Sequence, residues 1–350
     1  MTEVKLTEAN VTEAGRTTFD AEAKERALQN EAASWDTSSP VPAEAGDIPI
    51  IDVSAWFSND DQEALKSAAA ALREASEQVG FHQLTGHGID QSLIDEVFAM
   101  TERFHKLPPE IKSTIRMDRP EWPIGGVGYL PVGERKLPRR TYGNLNEAFL
   151  MKSTEPNEPE NNQWLEEAAL PGFRTVIERY AAEVEALALR LLPMYAVALE
   201  LAPDYFDAAF QHPFWRLRLS HYPPDPPGPE GAFGIAPHVD TTVFTLLLQN
   251  GPGLTIFHEG RQRWVEAPVI DGAFVVNSGE LLRQWTNDRF LSTRHFANNL
   301  TAQSRYSIPF FFNATADYEM ACLPSCHGPG NPPKYPPVSY ATSQGVVQGE

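Results

Sequence analysis

The residues able to do chemistry concentrate in the last third of this 350-residue chain. In APHVDTTVFTLLLQ, His238 and Asp240 stand two apart. If this segment opens a strand, side chains at i and i+2 leave the same face, and an imidazole and a carboxylate reach one ion. A third ligand from a distant strand would complete a two-His-one-carboxylate facial triad. That set leaves one side of an octahedral metal open and is diagnostic of non-haem Fe(II) oxygenases. His295, in FLSTRHFAN and 55 positions after Asp240, is the candidate. With nine His in the chain an H-x-D can arise by chance, and a lone strand His is usually a satisfied core residue. The neighbourhood has to decide.

Ten residues beyond His295, RYSIPFFF carries Arg305 and Ser307, whose side chains would emerge on one face of a strand. The planar guanidinium suits bidentate carboxylate binding. Among Ile308, Pro309, Phe310, Phe311 and Phe312, a charged Arg is costly unless paired, so a buried anion is expected beside it. An Arg at a strand edge is the plainer alternative.

Several elements must position these groups. FWRLRLSHY, TTVFTLLLQ, GLTIFHE, RWVEAP, GAFVVNSG, STRHFAN and RYSIPFFFN are short β-rich runs separated by Gly, Pro, Asn and Asp. Their number and spacing suggest a sandwich or barrel. Upstream, IPIIDVSAWF and FHQLTGHGI read as strands. Leu65, Ala68, Leu72, Ala75 and Val79 recur at helical spacing, with Asp60 as cap and Gly80 as stop. Leu93, Val97, Met100 and Phe104 mark a second helix that ends before Pro108. A long helix spans Phe173 to Leu201, with a kink expected at Pro193. Residues 115–143 read as a long loop. The chain divides into an N-terminal extension (1–46), a helical and strand region packing on the barrel (47–202), a catalytic core (203–320) and a C-terminal tail (321–350).

Lys and Arg number 28 against 47 Asp and Glu, a net charge of -19. Such a surface repels nucleic acid and anionic membranes, so neither is an expected partner. The start MTEVKLTEANVTEAGRTTFD lacks the features of a secretory signal, and no run of about 18 apolar residues occurs, so a cytoplasmic location is expected. Cys322 and Cys326 are too few for a structural zinc site and read as reduced thiols.

Taken in order, IPIIDVS, VGFHQLTGHGI, GVGYLPVGE, NEAF, SHYPP, PHVD, GLTIF, WVEAPVIDGAFVVNSGELLRQWTNDRFLSTRH and RYSIPFFF resemble the isopenicillin N synthase-like family of Fe(II)/2-oxoglutarate-dependent dioxygenases. The resemblance covers most of the chain. It implies a mostly β fold with flanking helices, a double-stranded β-helix or jelly roll with iron at one open end. It implies that His238, Asp240 and His295 hold Fe(II), and that Arg305 and Ser307 hold the far carboxylate of 2-oxoglutarate. Tyr222 matches the tyrosine that precedes the prolines in the family's N-Y-Y-P element and would help hold the same carboxylate. Ser220 and His221 replace the Asn and first Tyr there, so no co-substrate contact is carried over to them.

By this resemblance the protein consumes O2, turns 2-oxoglutarate into succinate and CO2, and hydroxylates, desaturates or cyclises a small molecule of secondary metabolism, with ascorbate as an aid to maintaining activity. No catalytic residue beyond the metal ligands is required, and a monomer or weak oligomer is expected. Asp240 occupies the position that halide-transferring members leave free, which disfavours halogenation. Two alternatives stay open: a same-fold iron oxidase that does without 2-oxoglutarate, and a binding module that has lost catalysis. Zinc hydrolysis with the same ligands would leave Arg305 and Ser307 without a task. Tyr129, Tyr142, Phe233 and Phe310 are candidates for an aromatic pocket wall, each also explicable as packing. His82, His87, His105 and His258 read as scaffold.

Overall fold

The computed structural model describes residues 37, 39–117, 126–135, 142–154, 161–224 and 232–344. In chain order the elements are β1 (Val41–Pro42), β2 (Ile50–Asp52), α1 (Ser54–Asn59), α2 (Gln62–Gln78), β3 (Phe81–Thr85), α3 (Gln91–His105), α4 (Pro109–Lys112), β4 (Gly128–Leu130), β5 (Glu147–Lys152) and α5 (Phe173–Ala198). There follow β6 (Phe214–Tyr222), β7 (Ile235–His238), β8 (Phe244–Gln249), β9 (Leu254–His258), β10 (Arg263–Glu266), β11 (Phe274–Ser278), α6 (Glu280–Trp285), β12 (His295–Ala297), β13 (Arg305–Asn313) and α7 (Tyr340–Ser343).

The strands form two sheets, ordered β1-β10-β9-β12-β7 and β2-β3-β11-β8-β13-β6-β5-β4. Strands β6 to β13 divide four to each sheet and alternate between them except at the β9–β10 hairpin, which is the winding of a double-stranded β-helix. All seven short runs of the C-terminal half are strands here. The larger sheet also recruits β2 to β5 from upstream, pairing β3 with β11 and β5 with β6, so its hydrogen bonds cross residue 203. The extension ends in β1, which pairs in parallel with β10; residues 1–36 and 38 lie outside the described residues.

Strand alternation divides β13 cleanly. Tyr306, Ile308, Phe310 and Phe312 are buried, the last three within the main apolar cluster shared with the helices. Tyr195 of α5 stacks on Phe244 of β8 at 4.8 Å between centroids, binding the longest helix to the outer face of the sheet. That helix continues through Pro193 to Ala198. Phe104 of α3 stacks on Phe173 of α5 at 4.9 Å and contacts Phe149 of β5, joining helices and sheet.

Two local expectations are corrected. The cap of α2 is Asp61, whose Oδ1 accepts from the backbone N–H of Glu63 and Ala64 at 2.9 and 3.1 Å. Asp60 instead takes a left-handed turn (φ 49°) that ends α1. The 115–143 stretch contains a strand, β4, paired with β5; three residues are too few for a period to register. Residues 118–125 and 136–141 of that stretch lie outside the described residues. At the C-terminus both cysteines are free thiols, with Cys326 buried.

Phe104 is fully buried at the junction of the layers. Phe104→Ala should therefore cost about 3–5 kcal/mol, read as a lower urea midpoint at unchanged slope.

Candidate functional site

The sequence reading put His238 and Asp240 at the start of a strand. In the structure His238 is the last residue of β7, and Asp240 falls in the connection to β8. Strand alternation therefore does not aim the pair; the chain's exit from β7 does. His295 opens β12 and lies directly opposite His238 in antiparallel register. The result brings three ligand atoms together: Asp240 Oδ1 is 3.5 Å from His238 Nε2 and 3.7 Å from His295 Nε2.

Each ligand is oriented by its surroundings. His238 Nδ1 donates to the Ala236 carbonyl at 2.8 Å, and His295 Nδ1 to the Thr293 carbonyl at 3.0 Å. A carbonyl only accepts, so both rings carry hydrogen on Nδ1 and present the Nε2 lone pair to the centre. Thr245 Oγ1 and Asn277 Nδ2 donate to Asp240 Oδ2 at 2.8 and 2.9 Å, leaving Oδ1 for the centre. Burial, and then the neighbouring His238, push His295 down to about 4. Burial alone would raise Asp240, but His295, His238 and Asn277 hold its carboxyl well below the usual range. Two imidazole nitrogens beside a carboxylate oxygen are a donor set that suits a divalent transition metal.

Arg305, Ser307 and Tyr222 also come together. Arg305 and Tyr222 are register partners on β13 and β6, and the guanidinium carbon stands 4.6 Å from the Tyr222 ring centroid. Ser307 Oγ donates to Tyr222 Oη at 3.5 Å. Arg305 Nε donates to the Gly251 carbonyl at 3.1 Å and Nη2 to Gln249 Oε1 at 2.9 Å. Nη1 has no partner although the side chain is buried. An orphaned N–H on a buried cation fits an incoming carboxylate. Gly253 makes room for this arrangement: at φ +137°, a Cβ there would lie 2.0 Å from the Asn298 carbonyl and 3.1 Å from Arg305 Nε.

The triad, Tyr222 and Ser307 line one cleft, with Phe81, Leu247, Leu254, Val275 and Phe311 among its apolar walls. Of the aromatic candidates from sequence, Phe310 faces the helical layer while its neighbour Phe311 lines the cleft. Tyr129 bonds to Glu147, Tyr142 is exposed, and Phe233 packs on Phe296. Phe81 was missed because it sits in the upstream β3.

A second polar cluster was not foreseen. Glu147 Oε1 lies 2.8 Å from His221 Nδ1 and 3.3 Å from His105 Nδ1. Its Oε2 accepts from Lys112 Nζ at 2.7 Å and Tyr129 Oη at 2.5 Å. The His-Glu-His spacing would suit a metal, but the Lys112 ammonium already neutralises the carboxylate. These charges hold strands in place: His221 Nε2 is 3.0 Å from Ser304 Oγ, next to Arg305, and His105 Nε2 donates to the Leu219 carbonyl at 3.0 Å. Burial would raise Glu147, yet the two imidazoles and Lys112 hold it far below the carboxylate range. Burial in turn lowers His105.

Comparison with known proteins points to one superfamily. The model of the 2OG-Fe(II) oxygenase superfamily matches residues 214–314, and that of the N-terminal region of non-haem dioxygenases in morphine synthesis matches 48–167. The 2-oxoglutarate-Fe(II) type oxidoreductase hxnY of Emericella nidulans is 32% identical over 317 residues, covering 86% of this chain and 88% of the relative. A 2-oxoglutarate-dependent dioxygenase of Didymella fabae is 30% identical over 294 residues, covering 79% and 88%. Full-length Neurospora crassa T7H, solved with alpha-KG, superimposes with a TM-score of 0.77 at 25% identity over 87% of this chain and 97% of its own.

Glu147→Ala leaves the buried Lys112 ammonium unpaired and should destabilise the fold by about 3–5 kcal/mol. The pH dependence has a definite sign. A carboxyl depressed below its unfolded value of about 4.3 contributes stability that is fully present above that pH and fades as pH falls below it. Glu147→Gln should therefore flatten the acid limb of a stability-versus-pH curve, measured by urea denaturation between neutral and acid pH.

Proposed function

Because the chain belongs to the 2OG-Fe(II) oxygenase superfamily, we propose that His238, Asp240 and His295 hold its iron and that Arg305, Ser307 and Tyr222 hold the far carboxylate of 2-oxoglutarate. The enzyme is an Fe(II)/2-oxoglutarate-dependent dioxygenase that couples conversion of 2-oxoglutarate into succinate and CO2 to oxidation of a small molecule. Relatives named for 2-oxoglutarate give no support to an oxidase that dispenses with it.

The observation that carries the residue assignment is the pairing of two complementary demands in one place. Three ligand atoms converge at one part of the cleft. A buried guanidinium with a partnerless N–H touches Tyr222, and Tyr222 and Ser307 line that same cleft.

Iron and the 2-oxo acid, when bound, supply the O2-dependent oxidation. The protein's own residues prepare for it. The Ala236 and Thr293 carbonyls fix the imidazole tautomers, so no proton has to leave Nε2 before metal binds. Thr245 and Asn277 occupy one carboxylate oxygen of Asp240 and hold the other toward the imidazoles. Gln249 and Gly251 fix the Arg305 fork and leave Nη1 for the anion. The apolar walls exclude water from the oxidising centre, and binding geometry, with no general base, selects the C–H bond attacked.

Residues 203–320 form the catalytic core in this reading, with 47–202 packed on it. The protein works as a cytoplasmic monomer or weak oligomer; among the described residues no helix is long and apolar enough to cross a membrane.

Anaerobic titration of the apoprotein with Fe(II), then 2-oxoglutarate, should produce a weak visible charge-transfer band. His238→Ala or Asp240→Ala should abolish iron binding. Arg305→Ala should retain iron while weakening 2-oxoglutarate by roughly 30-fold or more, a loss of about 2 kcal/mol. Full activity in any of the three variants would overturn the assignment.

A further inference from the structure

Three Lys or Arg side chains among the described residues are buried: Lys112, Arg218 and Arg305. Lys112 is neutralised by Glu147. Arg305 is assigned above to the co-substrate. Arg218 has no such account.

Arg218 lies on β6 and shares a face with Ser220 and Tyr222, residues at i+2 and i+4 along the strand. The register that sets Ser307 opposite Ser220 and Phe310 opposite Leu217 sets Pro309 opposite Arg218. Pro309 lines the cleft, as do Ser307 and Phe311 to either side of it on that face. Arg218 therefore sits beside the cleft wall, on the inward side of the sheet.

Its contacts are neutral. Nε donates to Ser220 Oγ at 3.0 Å. Nη2 donates to Asn146 Oδ1 at 2.9 Å, with the amide oriented so that Nδ2 donates to the Gly234 carbonyl at 3.1 Å. No carboxylate among the described residues pairs with it. The strongest charge acting on it is another cation: burial first, and Arg135 second, lower Arg218 to about 10, so it stays charged near pH 7. A buried guanidinium without a counter-ion is costly. Two hydrogen bonds to neutral groups aim this one without neutralising it.

We propose that Arg218 binds a carboxylate on the primary substrate, so that this enzyme oxidises a small organic acid. The inference rests on the dioxygenase reading given above. The far carboxylate of 2-oxoglutarate does not meet this demand. Its partner Arg305 is in register with Tyr222, four residues along β6, a separation of roughly 13 Å at strand spacing. The two arginines thus serve two anions.

The test uses the full chain loaded anaerobically with Fe(II) and 2-oxoglutarate. Phenylacetate and octanoate are titrated against their methyl esters, following perturbation of the visible band, calorimetric affinity and the thermal midpoint. At least one acid should perturb the band and raise the midpoint, and bind at least 30-fold more tightly than its ester. Arg218→Gln should lose that preference, while the midpoint for forming the 2-oxoglutarate band stays within twofold of wild type. Arg218→Lys should recover part of it, which separates a missing charge from a damaged fold.

Equal binding of acid and ester overturns the proposal, as does acid binding that survives Arg218→Gln. Failure of both acids to bind wild type at millimolar concentration overturns it equally. A parallel loss of 2-oxoglutarate affinity in Arg218→Gln would reassign the residue to the co-substrate. If wild type shows no band at all, the dioxygenase reading fails instead, a result distinguishable from each of these.

Discussion

The antiparallel pairing of β12 with β7 sets His295 directly opposite His238, and the geometry of the site depends on it. Each ring is oriented by a carbonyl two residues back in sequence, but only strand pairing brings the two histidines together. The contact exists because the sheet ordered β1-β10-β9-β12-β7 ends in these two strands, and because their register puts a histidine at the same level on both. A slip by one residue would send His295 to the opposite face. Register here is fixed on both sides of β12, since Ile256 of β9 also lies opposite His295 and is fully buried. The apolar packing between the sheets thus sets the position of a polar site.

Once register brings the groups together, taking charge out of water decides how they are arranged. Asp240, Glu147, Lys112, Arg218 and Arg305 are all buried, and an unpaired buried charge is not tolerated without compensation. Glu147 and Lys112 satisfy each other and tie β5 to the turn after α3. Asp240 takes two hydrogen bonds on one oxygen and faces two imidazoles with the other. The arginines are held by carbonyl, amide or hydroxyl oxygens and, among the described residues, paired with no carboxylate. A structural ion pair completes itself within the chain; a binding site leaves the last partner to be supplied.

That distinction explains what could be read from residues alone. The seven strands of the C-terminal half were legible because each is an apolar run cut by turn residues. Helices α2, α3 and α5 were legible from their 3.6-residue period. The H-x-D and R-x-S pairs were legible because short spacing within a strand or its exit keeps residues together whatever the fold, as with His238 and Asp240 or Arg305 and Ser307, whereas His295, 55 positions after Asp240, was no more than a candidate without the family resemblance. Three-residue β4 carried no period, and β5 was visible only as part of a motif. The cap of α2 was misplaced by one because adjacent aspartates, Asp60 and Asp61, compete for it, and only the end of α1 decides between them.

The buried network was illegible for a different reason. His105, Lys112, Tyr129, Glu147 and His221 come from separate elements, and no two of them belong to one short motif. Arg218 is similar: in FWRLRLSHY it looks like one of two ordinary arginines, and Arg216 indeed lies only 3.2 Å from where a Gly126 Cβ would be, against the loop rather than at a carboxylate site. What separates Arg218 is burial combined with the lack of a carboxylate partner, a property of the folded sheet. The motif residues report the iron and the co-substrate because their spacing is short and their chemistry specific. The group proposed to recognise the substrate carries no such motif, and it is found by asking which buried charge the described residues leave unanswered.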